Sequence, residues 1–369
     1  MEHSSNNSGK MSETDKVLCR AEKLRDRSAY TESLNLFKEA LRGYTRVHDE
    51  DNMIHCMLSL GDTYRMTGDF DLAVARYRDA IEVAREIKSP VKVADARIGL
   101  GLALRAQGRW REALKLIRES KGTYLKRGDR EGVAFSLWAE AGAFRIKGDI
   151  RGAIKTYKES YKFFRSMKDD NGIGYCLCGL GGASRVAGFF ENSLNYYKEA
   201  NKLFSSTGDT FGKAYSYCGI GNAYRMLEDY KNAFTHFAKA VGLYRKMGDR
   251  VSYAYTLWGL STAYKMTGDL RKAHDYLADS MQFFRRTKDP RGVCYCLLGL
   301  GEIALLRGKK AVARRYISAA GEKATKNNFS IEKCYLNTML ALLDGKIDNT
   351  CYNELGMRIR FRGLPLNIP

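Results

Sequence analysis

The chain has 369 residues, of which 44% are hydrophobic and 28% are charged. This apolar content is sufficient to bury a core, so the composition excludes a disordered or collagen-like chain. Lysine and arginine number 62 against 42 acidic residues, which gives a formal charge of +20. The excess excludes an acidic solvating protein and favours an anionic partner.

The amino-terminal segment, residues 1–10, is polar and contains no apolar run typical of a signal peptide. No stretch of about 18 apolar residues occurs later, so we expect no membrane insertion and a cytoplasmic location. We expect residues 1–10 to be disordered, because they have no counterpart in the repeats that follow. The nine cysteines lie within apolar helical patterns, and we expect them to be reduced thiols.

A forty-residue repeat organises the rest of the chain, because a shift of forty superposes apolar, aromatic and small residues without insertion. The repeating apolar position is occupied by Leu60, Leu100, Leu180, Ile220, Leu260 and Leu300. The period predicts a degenerate capping repeat over residues 11–48, seven repeats over residues 49–328 and an incomplete capping repeat over residues 329–350. Terminal repeats are expected to be atypical because they cap the stack.

Each repeat carries two amphipathic helices, since positions 57, 60, 61 and 64, and again 73, 77, 80 and 84, follow helical spacing. Between them, Gly68 can end one helix in the left-handed conformation and Asp69 can cap the next. A helix pair cannot bury its apolar stripe alone, so the pairs must stack. We therefore predict an all-α, right-handed α-solenoid of about sixteen to eighteen helices and no sheet.

The final segment, residues 351–369, is predicted to be an extended C-terminal tail. Its last residues are too short and too broken by proline to form a helix, yet they carry Phe361, Leu364, Leu366 and Ile368. We expect this tail to lie against an apolar surface of its own chain or of another protein.

The motif Leu60-Gly61-x-x-Tyr64, followed by Ala73, Tyr77 and Ala80, resembles the tetratricopeptide repeat. The forty-residue unit with a Gly-Asp joint is similar to the longer-repeat subset found in Pins-type adaptor scaffolds. Two features depart from the family pattern: the expected tryptophan is replaced, for example by Met57, and the proline near the repeat end is absent. The resemblance implies a non-enzymatic scaffold for protein–protein interaction that binds its partner in a concave groove.

By this resemblance, a second face of the first helix in each repeat lines the groove. Basic residues recur at position 65 of the unit, and aromatic residues recur at positions 55 and 58. The candidate partner-binding residues are Arg65, Arg105, Arg145, Arg185, Arg225, Lys265, Phe135, Trp138, Tyr175, Tyr215, Tyr255, Trp258 and Tyr295. We call the basic residues among them the ladder. Such a groove suits an extended or helical segment with acidic and apolar residues.

Local pairing is a competing explanation of the ladder, because an aspartate follows Arg65, Arg145 and Arg225 by four residues. Arg105 and Arg185 have no such aspartate, so pairing does not explain the whole series.

Two other functions stay open at this point. Arginine interleaved with tyrosine also suits RNA or another single-stranded nucleic acid. The scaffold could alternatively be a regulatory subunit that docks onto an enzyme.

No motif indicates catalysis, a cofactor or a metal. Gly179-Leu-Gly181 lacks the preceding strand that a dinucleotide-binding loop requires, and we interpret these glycines as points of close helix approach. Cys176 and Cys178 project from a helix in different directions and cannot chelate one metal ion. We therefore predict that the protein is not an enzyme.

Overall fold

The structure, a computed structural model, describes residues 11–369. Within this range it contains eighteen α-helices and no strand, which confirms the predicted all-α solenoid. Residues 1–10, for which we expected disorder, lie outside the described range. The helices are α1 (Glu13–Asp26), α2 (Tyr30–Arg46), α3 (Glu50–Thr67), α4 (Phe70–Glu86), α5 (Pro90–Ala106), α6 (Trp110–Arg127), α7 (Arg130–Lys147), α8 (Ile150–Met167), α9 (Asp170–Ala187), α10 (Phe190–Thr207), α11 (Thr210–Met226), α12 (Tyr230–Met247), α13 (Arg250–Met266), α14 (Leu270–Arg286), α15 (Pro290–Leu306), α16 (Lys310–Lys326), α17 (Ser330–Leu343) and α18 (Thr350–Glu354).

Helix boundaries recur because the joints between helices repeat. Gly68 ends α3 with a φ of +82°, a conformation that glycine adopts without a steric penalty. At two later joints, the Asp129 carboxylate accepts a hydrogen bond from Gly132 N at 2.8 Å, and Asp149 accepts one from Gly152 N at 2.9 Å. Each aspartate thereby satisfies an amide at the start of a helix that would otherwise have no partner.

In several repeats, one aromatic ring from the second helix packs between two successive first helices. The Tyr197 ring of α10 lies so close to Gly181 and Gly219 that a Cβ atom added there would come within 2.8 and 2.1 Å of it. Tyr77 of α4 makes the same approach to Gly61 and Gly99. The interpretation of the repeated glycines as points of close helix approach is therefore confirmed.

The superhelix completes a turn and closes on itself. In α13, the Arg250 guanidinium donates to Thr67 O at 2.8 Å and to the Asp69 carboxylate at 2.7 Å. The Trp110 indole donates to Asn327 O at 3.2 Å. We call these contacts the seam, which comprises Arg250 with Thr67 and Asp69, Trp110 with Asn327, and Arg358 with Ala187. Because the seam joins one turn to the next, the concave face encloses a channel.

The C-terminal part differs from the sequence-based expectation in two respects. Residues 350–354 form the short helix α18, so the extended segment begins at Met357, and we use "the tail" for Met357–Pro369 from here on. Cys334 and Cys351 form a disulfide, so the expectation of nine reduced thiols is wrong for this pair. The cause is the packing of α18 on α17, which brings the two Cα atoms within 5.5 Å.

None of the helices in residues 11–369 combines the length and the apolarity that crossing a bilayer requires.

Candidate functional site

The concave face encloses a cavity of about 930 Å³, which is the channel. Its wall is formed largely by the first helices of successive repeats, because a residue that recurs every forty positions occupies the same face in every unit. Ten of the thirteen predicted groove residues line it: Arg65, Arg105, Arg145, Arg185, Phe135, Trp138, Tyr175, Tyr215, Tyr255 and Trp258.

The other three predicted residues do not face the open channel. Arg225 and Lys265 continue the ladder but are buried beneath the tail. The Tyr295 ring packs on Trp258 with the ring centroids 4.9 Å apart, and its hydroxyl accepts a hydrogen bond from Arg291 at 2.8 Å. Tyr295 therefore belongs to the packed core beside the channel.

Arg105, Arg145 and Arg185 form a basic centre in the open part of the wall. Within residues 11–369, no carboxylate lies within 4.0 Å of any of these guanidinium groups. Among residues 11–369, Arg105 donates a single, long hydrogen bond of 3.4 Å to a main-chain carbonyl, and it lies over the Trp138 ring at 5.7 Å. The buried Nε and Nη1 atoms of Arg185 have no hydrogen-bond partner among the described residues.

The surroundings of this basic centre are phenolic and cationic. Burial lowers the pKa of Arg105 to about 10, with repulsion from Arg145 as a further cause, whereas Tyr157 acts in the opposite direction. At neutral pH Arg105 therefore remains charged. An uncompensated cation in a poorly hydrated wall is unfavourable, so the centre favours binding of an anion.

Four of the six acidic residues that line the channel cap helices with their carboxylates: Asp169, Asp209, Asp249 and Asp289. Asp209 accepts hydrogen bonds from the Tyr175 hydroxyl at 2.7 Å and from Gly212 N at 2.8 Å. Asp289 accepts one from the Tyr255 hydroxyl at 2.8 Å and also caps α15. These carboxylates cap helices and hold tyrosines, and they do not neutralise the basic centre.

Local pairing does not account for the ladder either. Arg65 pairs with Asp62 at 3.3 Å, while Asp69, four residues after it, pairs with Arg250 of the seam. The aspartates that follow Arg145 and Arg225 by four residues cap α8 and α12 through their first-turn amides.

Aromatic side chains form a continuous path along the wall. The rings of Phe135 and Trp138 stack with their centroids 5.5 Å apart, and Tyr175 follows at 6.3 Å from Trp138. Phe211 connects Tyr175, at 6.4 Å, to Tyr215, at 6.1 Å. Sequence reasoning missed Phe211 because it stands in the first turn of α11, outside the positions that recur as aromatic.

The tail reaches the end of the channel near α11, α13 and α15. Leu366 N donates to the Glu302 carboxylate, and Leu366 O accepts from the Lys265 ammonium at 2.8 Å. The Asn367 carboxamide accepts from Arg225 Nη1 and donates to Arg225 O at 2.9 Å. Ile368 O accepts from Arg225 Nη2 at 2.9 Å. The tail therefore packs on its own chain, through polar contacts as well as apolar ones.

Glu302 was also missed by sequence reasoning. It stands at the equivalent of position 62, where the central repeats have Gly142 and Gly182. The change from glycine to a carboxylate at a channel-facing position was the available signal.

Comparisons with known proteins agree with this fold. The tetratricopeptide repeat family matches residues 14–86, 58–129 and 216–286. Among solved structures, a Rap protein complexed with Competence and Sporulation Factor aligns with a TM-score of 0.60 and 13% identity, covering 90% of this chain and 98% of that chain.

Two further structures are similar. The Rap conjugation gene regulator of the plasmid pLS20, in complex with the Phr* peptide, has a TM-score of 0.66 and 13% identity over 85% of this chain and 96% of that chain. NprR in complex with its cognate peptide NprX has a TM-score of 0.56 and 14% identity over 90% of this chain and 100% of that chain. At such identity the likeness shows the fold alone. No curated protein matches the sequence.

Proposed function

Because the chain belongs to the tetratricopeptide repeat family, we propose that it is a non-enzymatic interaction scaffold whose channel binds an extended partner segment with acidic and apolar side chains. The observation that carries this proposal is the basic centre of Arg105, Arg145 and Arg185, which has no carboxylate partner within residues 11–369. Carboxylates of a bound segment would form charge-assisted, often bidentate hydrogen bonds with these guanidinium groups.

The geometry of the repeat suggests how the acidic residues of the ligand are spaced. Packed helices lie about 8 to 10 Å apart, and an extended peptide advances about 3.3 Å per residue. A segment that follows the wall would therefore meet one arginine for about every three residues. Apolar side chains between the acidic ones would lie against Trp138, Tyr175 and Tyr215.

One comparison favours a peptide over a nucleic acid. Of the three similar structures described above, two are complexes with a peptide, Phr* or NprX, and one is a complex with the Competence and Sporulation Factor. A regulatory subunit that docks on an enzyme is a special case of the same proposal, since the docked element would be a segment of that enzyme.

The test is selection of peptides from a random display library on the nuclease-treated full-length protein. We expect enrichment of peptides that combine acidic and aromatic or aliphatic residues. Conversion of Arg105, Arg145 and Arg185 together to glutamate should abolish their binding, because the centre then repels the ligand. The matched control carries the same change of charge at three exposed arginines on second helices, Arg46, Arg165 and Arg286.

The control should bind like the unmodified protein. Equal loss of binding in both triple variants would show that binding depends only on the electrostatic field of the whole protein, and it would refute the site. Enrichment of peptides without acidic residues would also refute it. Retention of a nucleic acid after purification, together with competition between that nucleic acid and the peptides, would favour the alternative function.

A further inference from the structure

We propose that Arg225, Lys265 and Glu302 form a second peptide subsite, which binds an asparagine or glutamine side chain flanked by apolar residues. Residues 364–369 occupy this subsite as an internal ligand that a partner segment can displace. The inference rests on the proposed function, because it assigns a neighbouring stretch of the same channel. It adds a different chemistry, since this stretch recognises an amide and the basic centre recognises acids.

The first argument is that charged side chains form hydrogen bonds with both the main-chain N–H and the main-chain carbonyl of Leu366. Glu302 accepts from Leu366 N, and Lys265 donates to Leu366 O at 2.8 Å. Lys265 and Glu302 also pair with each other, and both are buried. Main-chain recognition of this kind gives affinity for an extended segment without depending on its sequence.

The second argument concerns Asn367, which supplies specificity. Its carboxamide accepts from Arg225 Nη1 and donates to Arg225 O, so a single side chain pairs with both the guanidinium and the main chain of Arg225. A carboxamide both donates and accepts, a carboxylate only accepts, and an aliphatic side chain does neither. Asn222 accepts from Arg225 Nη2 at 3.2 Å and so holds the guanidinium in the orientation that fits an amide.

The third argument is that Arg225 and Lys265 are members of the ladder. They stand at the same position of the repeat as Arg105, Arg145 and Arg185, but the tail covers them, and Lys265 also pairs with Glu302. Burial, together with repulsion from Arg185, lowers the pKa of Arg225 to about 9. Its Nε atom is buried with no hydrogen-bond partner among the described residues. The tail therefore satisfies this guanidinium only partly, and it occupies the space in which a partner segment would continue along the ladder.

The fourth argument is that the tail is anchored in two separate parts. Arg358 N donates to Ala187 O at 2.8 Å, and the Phe361 main chain forms two hydrogen bonds with the Asn349 side chain at 2.9 and 3.0 Å. Between this anchor and Leu366 lie the exposed Arg362 and the half-buried Gly363, and no atom outside its immediate neighbours would contact a Cβ added at Gly363. Residues 364–369 can therefore leave the channel while residues 357–361 stay in place.

The experiment uses the full-length protein and a fluorescein-labelled hexapeptide, LPLNIP, which corresponds to residues 364–369. The variant Asn367→Leu keeps the size of the side chain and removes both hydrogen bonds, so it weakens the internal ligand. By fluorescence anisotropy, we expect LPLNIP to bind this variant at least tenfold more tightly than it binds the unmodified chain. The control peptide LPLLIP should bind at least tenfold more weakly than LPLNIP, because it cannot pair with Arg225.

Two double variants place the binding in the channel. Arg225→Met combined with Asn367→Leu should lose the binding of LPLNIP, whereas Arg145→Met combined with Asn367→Leu should keep it. Equal affinity for the two peptides, or no effect of Arg225→Met, would overturn the subsite. If acidic peptides do not bind at the basic centre, the expected binding of LPLNIP to the subsite is unaffected, so the two proposals can fail separately.

If Asn367→Leu does not fold, hydrogen exchange in the unmodified chain decides the question. We expect the Leu366 amide to exchange at least tenfold faster than the amides of Arg358 and Phe361, because residues 364–369 open without the anchor. Equal exchange of all three amides would show that the tail is a fixed part of the core and would refute displacement.

Discussion

The close approach of Tyr197 to Gly219 makes a quantitative prediction about Gly219→Ala. An added Cβ would come within 2.1 Å of the ring, which is buried and contacts Gly181 on its other side. Overpacking of this kind costs about 1 to 3 kcal/mol. The matched control is Gly242→Ala in α12, where an added Cβ meets no atom within 4 Å. There the replacement should stabilise the helix by about 0.5 to 1 kcal/mol, since glycine is a poor helix former.

The assay is urea denaturation followed by circular dichroism, with both variants compared with the unmodified protein. We expect the midpoint to fall for Gly219→Ala and to rise slightly for Gly242→Ala. Comparison of midpoints is preferred to absolute free energies, because a repeat array need not unfold in one step. A midpoint for Gly219→Ala equal to that of Gly242→Ala would contradict the packing of one aromatic ring between two first helices.

Two further predictions concern a buried carboxyl group and the seam. Burial raises the pKa of the Asp249 carboxyl to about 6, so the folded state binds a proton more tightly than the unfolded state does, and stability should fall as the pH rises from about 4 to 6. The free energy of unfolding, measured by denaturation at pH 4 and pH 6, should change by about 2 to 3 kcal/mol less in Asp249→Asn than in the unmodified protein, because asparagine can still cap α13 but does not titrate. The same pH dependence in both proteins would contradict the raised pKa of Asp249. Arg250→Ala removes the hydrogen bonds to Thr67 O and Asp69. We expect proteolysis at the joint between α3 and α4 to become about threefold to tenfold faster, because a partly buried contact of this kind contributes about 1 kcal/mol. Proteolysis at an unchanged rate would show that the seam does not depend on Arg250.

The wall of the channel could be predicted from the sequence because a repeat gives each position a fixed place. Arg105 and Arg145 are forty residues apart and therefore equivalent, so both lie on the same face of the first helix in their repeats. The same logic predicted the number of helices and the close approach of helices at the repeated glycines, such as Gly181. These features depend on neighbouring repeats alone, and the positions that pack one repeat on the next carry similar residues in most units.

Contacts between distant repeats could not be predicted in this way. The pairing of Arg250 with Asp69 depends on the small rotation of each repeat against the next, which accumulates until the turns meet. The contact of Asn367 with Arg225 involves a segment outside the repeats, so the forty-residue period does not indicate where Asn367 lies. For this reason sequence reasoning placed Arg225 and Lys265 in an open groove, whereas the structure places the tail over them.

Closure of the channel changes what the basic centre can do. In an open groove, water would screen Arg145 and Arg185, and each contact with a carboxylate would contribute little. Inside a closed channel the effective dielectric constant is lower, so charge-assisted hydrogen bonds to a ligand are stronger and an unpaired guanidinium is less favourable. The tail limits access to one end of the ladder, because a ligand that continues from Arg185 to Arg225 must displace residues 364–369. This displacement breaks the polar contacts of the tail and exposes the buried side chains of Leu366 and Ile368, and local opening of this kind requires less free energy than global unfolding. A ligand that binds as proposed would thus couple its affinity to the release of the tail, and its association rate would report how often that release occurs.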